Sequence, residues 1–141
     1  DIKKKEVAVK KEAKPEPNKQ PFKDRDRDNF EYAIPGAIYK INLDATHPFA
    51  YGLGKSYYTL KTDRKIYEPF AKGWNVGQLS EKSLMSGVVG KKVREELKSG
   101  LLIGVQDFGK GQVVYMANDP LFRNFWEGGK TLFGNVVFCG Y

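Results

Sequence analysis

The pattern of hydrophobic and polar positions divides the chain into a polar first part and a more hydrophobic remainder. Residues 1–28 contain few large apolar side chains, whereas Lys, Asp, Glu and Pro recur throughout them. A segment of this composition cannot bury enough apolar surface to fold alone. We therefore expect residues 1–28 to be a flexible charged linker or loop, and residues 29–141 to form a single domain.

Short runs rich in β-branched and aromatic residues predict the strands of that domain. A turn at Thr62 and Asp63 favours a hairpin between two of these runs. The unbroken apolar run from Leu101 to Val105 is typical of a central strand covered on both faces. The predicted strands are Ala37 to Leu43, Tyr57 to Leu60, Lys65 to Tyr67, Gly73 to Leu79, Leu84 to Val89, Leu101 to Val105 and Gln112 to Met116.

Two helices are predicted from capping residues and from helical spacing. The first covers Lys91 to Lys98 and stops at the Ser99-Gly100 pair. The second covers Asp119 to Val137, because Asp119 can cap free N–H groups and Pro120 suits the first helical position. Apolar residues recur three, four and seven apart along it. The side chains expected to face the sheet are Phe122, Phe125, Trp126 and Phe133.

The order of these elements is strands first, then helix, strand, strand and helix. That order predicts an α/β fold, bordering on α+β, with a mixed sheet and flanking helices.

Charge and composition exclude several kinds of partner. The net charge is +7, with ten basic against seven acidic residues in residues 1–28 and fourteen against ten in the remainder. Because the charges are interspersed, no concentrated basic face is expected and nucleic acid is not a predicted partner. No apolar run approaches the roughly 18 residues that a membrane-spanning helix needs.

The chain offers little catalytic chemistry. His47 is the only histidine and lies in a turn, where a lone histidine is usually structural, so an enzyme that uses it is the least favoured class. Cys139 is the only cysteine and lies in an apolar run, which favours a buried, inert thiol. One His and one Cys cannot supply the usual zinc ligands, so neither a metal nor a cofactor is predicted.

Charged residues around the Gln112 to Met116 strand form a second candidate site. Asp107 and Asp119 flank this strand, and Arg123 lies one turn into the predicted helix. We predict an Asp–Arg pair that fixes the turn, and a ligand site at this sheet edge is the alternative. With His47, these three residues are the candidate binding residues.

Four segments of the chain resemble a known family. They are similar to the C-terminal accessory region of large bacterial zinc carboxypeptidases of the M14 class, of the Bacteroidetes type. The most specific part is the closing signature of a strand, Asn-Asp-Pro, Phe-Arg and Phe-Trp. The segments are Pro35 to Pro48, Gly73 to Gly77, Gly104 to Gly111 and Asp119 to Trp126.

The resemblance implies a fold and a role. That region is similar to the class I glutamine-amidotransferase-like (flavodoxin-like) fold, so a largely parallel open sheet is expected, of which this chain would be the C-terminal half. Neither the peptidase's zinc motif nor the amidotransferase's nucleophilic cysteine has a counterpart here. The resemblance therefore implies a non-catalytic domain that supports fold, assembly or substrate presentation in a peptide-hydrolysing parent.

The same resemblance implies surroundings and partners. The parent would be secreted or periplasmic, and zinc would be bound only in its peptidase domain. The expected partners are that peptidase domain in the same parent chain and a second copy of this chain, joined through an exposed sheet edge.

A rival interpretation is a free-standing module that binds peptide or carbohydrate. Exposed aromatic side chains would then form its platform. The candidates are Tyr51, Tyr57, Tyr58 and Trp74.

Overall fold

A computed structural model describes residues 30–140, which are built around one six-stranded β-sheet. The linker predicted for residues 1–28 lies outside the described residues. The strands are β1 (Gly36–Leu43), β2 (Ser56–Lys61), β3 (Trp74–Gln78), β4 (Leu84–Val88), β5 (Leu101–Phe108) and β6 (Gly111–Met116). The helices are α1 (Lys91–Leu97) and α2 (Glu127–Cys139), with 3₁₀ turns at Pro48–Ala50 and Phe122–Asn124. Neither α1 nor α2 is long and apolar enough to cross a membrane.

The strands run in the order β2-β1-β3-β5-β6, and β4 pairs with the first half of β1. Every pairing between these strands is antiparallel. The prediction of a largely parallel open sheet, and with it the α/β, flavodoxin-like class, is therefore wrong. Parallel neighbours need a crossover connection between them. Here α1 connects β4 to β5, but these two strands are not neighbours, because β4 pairs with β1.

The sheet curls into a half-barrel around one buried face. Alternate residues of β1 and β2 point to this face, as the period of two along a strand requires. Directly opposite pairs across the two strands are Ile41 with Tyr57 and Tyr39 with Thr59. All four are buried, so the inner face of the curl is the core of the domain.

A buried lysine joins the two ends of the curled sheet. Lys61 Nζ, at the end of β2, donates to Asp63 Oδ1 at 2.8 Å and to the carbonyl oxygen of Ala117, just after β6, at 2.9 Å. Burial lowers the pKa of Lys61, and its bond to Asp63 opposes that change. The two acceptors offset part of the cost of removing the ammonium group from water.

The outer face of β5 is covered by a loop rather than by a helix. Residues Leu101 to Val105 are all buried, which confirms the predicted central strand. Tyr67 bridges to Leu101, and the Phe70 ring lies against Gly104 where any side chain would collide with it. The predicted hairpin is therefore wrong, since Tyr67 pairs with β5 instead of β2.

The last helix begins eight residues later than predicted from Asp119. Asp119 Oδ1 accepts a hydrogen bond from the Leu121 backbone, but Arg123 and Asn124 then adopt left-handed φ angles of 49° and 56°. These angles interrupt the helical path. Gly129 lies so close to the Pro120 carbonyl that a β-carbon there would overlap with it. Only a residue without a β-carbon fits at position 129, so Gly129 allows the start of α2 to pack against Pro120.

The buried face of α2 is also different from the predicted one. Leu132 is fully buried, whereas Phe125 and Phe133 are exposed. Phe122 and Trp126 are half-buried, and their rings contact the Phe125 ring edge-on and at a tilt, respectively. The prediction that these four aromatic residues face the sheet from one helix is therefore wrong, because three of them precede α2 and Phe133 lies on its exposed side.

Candidate ligand-binding cleft

A cleft of about 280 Å³ lies where the end of β1, the starts of β3 and β6, and the end of α2 meet. Its polar lining consists of Asp44, Thr46, His47 and Gln112. Its apolar lining consists of Pro48, Phe49 and Trp74, and Cys139 contributes from the end of α2.

Asp44 begins the turn that follows β1. Its Oδ1 atom accepts hydrogen bonds from the backbone N–H of Thr46 at 3.0 Å and from the Thr46 hydroxyl at 2.6 Å. These two bonds lower the pKa of Asp44, so the carboxylate is charged at neutral pH. No described residue donates to the second oxygen, Oδ2, which remains available as an acceptor.

His47 holds the next turn in place. Its Nδ1 atom accepts a hydrogen bond from the Phe49 backbone at 3.2 Å and caps the 3₁₀ turn. Because Nδ1 is an acceptor, the neutral ring carries its proton on Nε2. Burial lowers the pKa of His47, and the charge of Asp44 opposes this. The ring centroid lies 4.7 Å from that of Phe49 and 6.2 Å from that of Trp74.

Trp74 forms the apolar wall of the cleft and keeps 55% of its surface exposed. Its position is fixed by the residue before it, Gly73, which has φ 117° and where a β-carbon would overlap with the Val105 carbonyl oxygen. Only glycine adopts such a conformation readily. Gln106 Nε2 also donates to the Lys72 carbonyl oxygen at 3.0 Å. The indole is thus presented by a rigid strand start.

Gln112 lies at the start of β6, directly opposite Asp107 on β5. Its Nε2 atom approaches Asp107 Oδ1 at 3.4 Å, which is long for a hydrogen bond. The amide therefore retains most of its hydrogen-bonding capacity for a ligand in the cleft.

The other predicted binding residues are not brought together. Asp107 lies near the β5–β6 turn, whereas Asp119 follows the opposite end of β6, about 20 Å away at the usual rise per residue. The Arg123 guanidinium lies over the Phe122 ring at 5.4 Å. Among residues 30–140, no ion pair joins Arg123 to either aspartate, so the predicted Asp–Arg pair is wrong. Of the four candidate binding residues, His47 lines the cleft.

The four aromatic candidates do not form one platform. Trp74 lines the cleft, and Tyr51 and Tyr58 are exposed outside its lining. Tyr57 is buried, and this burial raises its pKa to about 12. Neighbouring residues of a strand point to opposite faces, so Tyr57 and Tyr58 could not share one surface.

Three polar residues that line the cleft were not predicted as site residues from the sequence, namely Asp44, Thr46 and Gln112. The Asp44-x-Thr46 spacing was a usable signal, since Asp commonly bonds to the backbone two residues on. Gln112 had no local signal, because strand pairing alone brings it to the cleft.

Cys139 is exposed, so the prediction of a buried thiol is wrong. Within the described part of the chain, no group of three or more His, Cys, Asp or Glu side chains is arranged to hold a metal ion.

Comparisons of the chain with protein-family models, with curated proteins and with solved structures found no significant match. Functional conclusions therefore rest on the cleft itself.

Proposed function

We propose that the domain is a binding module and that the cleft beside Trp74 is its ligand site. The observation that carries this proposal is the half-exposed indole, held at a fixed position across from His47. Ligand sites commonly combine an aromatic wall with a few convergent polar groups. The cleft volume of about 280 Å³ is close to the lower end of such sites.

The hydrogen bonds of the cleft support binding rather than covalent catalysis. His47 uses Nδ1 to cap the turn, which leaves a donor, Nε2–H, for the cleft. In this tautomer Nε2 already carries a proton, so it does not act as the base toward a nucleophile such as the Cys139 thiol, which also lines the cleft. The same groups are well suited to hold a ligand in one orientation.

A test is to record ¹H–¹⁵N spectra of the protein during titration with neutral oligosaccharides and with short peptides. We expect at least one of these probes to shift the Trp74 indole signal in a saturable manner, and Trp74→Ala to abolish its binding. Tyr58→Ala is the matched control, because it removes an exposed aromatic ring outside the cleft. The proposal fails if no probe shifts any cleft signal, or if Tyr58→Ala weakens binding as much as Trp74→Ala.

The sequence resemblance alone supports a second proposal. In it, this module is an accessory domain of a zinc carboxypeptidase, in a secreted or periplasmic parent. The largely parallel fold that the same resemblance implied is wrong. The proposed ligand site in the cleft does not depend on whether the parent is a carboxypeptidase. A reading frame that continues upstream into a zinc-ligand motif would support the parentage, and a frame without one would contradict it.

A further inference from the structure

From the chemistry of the cleft we infer that its ligand is a neutral sugar ring, stacked on Trp74 and bound through its hydroxyl groups to the polar side of the cleft. This inference rests on the proposed binding function and names the class of ligand.

The charges around the cleft disfavour charged ligands. Among residues 30–140, Asp44 is the one formally charged residue that lines the cleft, and no Lys or Arg side chain of this range contributes to the lining. An anionic group would therefore face a carboxylate without a compensating cation. A cationic ligand would meet Asp44 favourably, but it would approach a chain whose net charge is +7.

The hydrogen-bonding groups of the cleft favour a sugar over a cationic side chain as the ligand. Asp44 offers an acceptor, His47 offers the donor Nε2–H, and the Gln112 amide offers both. An ammonium or guanidinium group only donates, so it would satisfy Asp44 and the Gln112 carbonyl oxygen but leave the His47 Nε2–H without an acceptor. A sugar hydroxyl both donates and accepts, and several hydroxyls on one ring can satisfy all three side chains.

The apolar side of the cleft matches the other face of a sugar. One face of a pyranose ring presents C–H groups, and the indole of Trp74 offers a flat apolar surface whose exposure allows such a contact. The volume of about 280 Å³ accommodates one such ring. Because the cleft is open to solvent, further sugars of a chain can extend beyond it.

The experiment is a titration followed by ¹H–¹⁵N spectra, with neutral hexasaccharides of glucose, mannose, xylose and N-acetylglucosamine as probes. Each probe is used at up to about 10 mM, which reveals dissociation constants in the millimolar range. A hexapeptide of alternating Lys and Gly and one of alternating Glu and Gly serve as charged comparisons. We expect at least one hexasaccharide to shift the Trp74 and Gln112 side-chain signals, with a Kd that does not change between low and high salt.

Variants of the cleft residues test whether the sugar contacts Trp74 and Gln112 as inferred. Trp74→Ala is expected to weaken sugar binding about tenfold or more, and Trp74→Phe to weaken it less, since a smaller aromatic face remains. Gln112→Ala is expected to weaken binding severalfold, and Tyr58→Ala to leave it unchanged. Backbone spectra of each variant confirm that it is folded before its affinity is compared.

Each failure has a separate meaning. If the Lys peptide shifts the cleft signals in a salt-sensitive manner while all sugars are silent, the sugar inference is overturned and the binding function stands. If neither sugars nor peptides shift the cleft signals, both are overturned. Sugar-induced shifts confined to residues outside the cleft, such as Tyr51, also overturn the inference.

Discussion

Asn118 Nδ2 donates a 2.6 Å hydrogen bond to the Tyr57 hydroxyl, across 61 positions of sequence. Tyr57 lies on β2 and Asn118 follows β6, and these strands stand at opposite ends of the sheet order. Asn118 also donates to Thr59 Oγ1 at 3.1 Å, close to the bond from Lys61 to the Ala117 carbonyl. Side-chain hydrogen bonds, in place of strand pairing, therefore close the curl of the sheet.

Removal of the Tyr57 hydroxyl should destabilise the domain. Tyr57→Phe deletes the acceptor of the Asn118 bond inside the core, so we expect a loss of about 1–2 kcal/mol in the free energy of unfolding. Urea denaturation measures this. Tyr58→Phe on the exposed face of the same strand is the control, with an expected change within about 0.5 kcal/mol. Equal stability of both variants would show that the bond does not support the fold.

The contribution of Tyr57 to the stability of the domain should decrease at alkaline pH. Burial raises its pKa from 10.0 to about 12, so the native state keeps the proton to a higher pH than the unfolded state does. Stability that is fully present below pH 10 is then lost as the pH rises through about 12, by roughly 2–3 kcal/mol.

The difference in free energy of unfolding between the parent and Tyr57→Phe isolates this effect. The pKa of Tyr39 is also raised and that of Lys61 is lowered, but both residues are present in both proteins and their contributions cancel. We expect the parent's advantage of about 1–2 kcal/mol to fall to zero between pH 10 and about pH 12 and then to reverse, because the loss of roughly 2–3 kcal/mol affects the parent alone. A difference that stays constant over this interval would contradict the burial of a protonated Tyr57.

Gly73 should be essential for the position of Trp74. Gly73→Ala forces a side chain into a φ of 117° and into the Val105 carbonyl oxygen, so we expect a loss of more than about 2 kcal/mol in the free energy of unfolding and a shifted Trp74 indole N–H signal. The matched control is Gly109→Ala, where φ is 63° and nothing lies within 4 Å of an added β-carbon. That variant should lose about 1 kcal/mol. Similar losses for both variants would show that the contact with Val105 is unimportant.

Adjacent residues of α2 should differ sharply in their effect on stability. Leu132 is fully buried and Phe133 is 40% exposed. Leu132→Ala is expected to cost about 2–5 kcal/mol, whereas Phe133→Ala should cost less than about 1 kcal/mol. Thermal or urea unfolding distinguishes the two. The reverse order would mean that α2 packs through its other face.

Local patterns predicted most elements correctly because each depends on a few neighbouring residues. The alternation in β1, the apolar run in β5 and the helix formers of α1 produce these elements where they were expected. Their arrangement depends on distant contacts instead. Nothing in the run from Leu101 to Val105 reveals that the Phe70 loop, rather than a helix, covers its outer face.

The candidate site was predictable only in part for the same reason. His47 and Trp74 were singled out by their residue types, and the turn after β1 could be read from its sequence. Gln112 reaches the cleft through the pairing of β5 with β6, and Cys139 reaches it from the end of α2. The aromatic spacing suggested that the helix starts at Asp119. Its actual start is set by the left-handed φ angles of Arg123 and Asn124 and by the close approach of Gly129 to Pro120.

The measurement that tests the account most directly is a nuclear Overhauser experiment between the His47 and Trp74 rings. Their centroids lie 6.2 Å apart across the cleft, so protons on the facing ring edges should give cross-peaks. We predict cross-peaks from the His47 ring to both the Phe49 ring and the Trp74 indole, the latter absent in Trp74→Ala. Cross-peaks to Phe49 with none to Trp74 would show that the two sides of the cleft do not meet, and would contradict the proposed site.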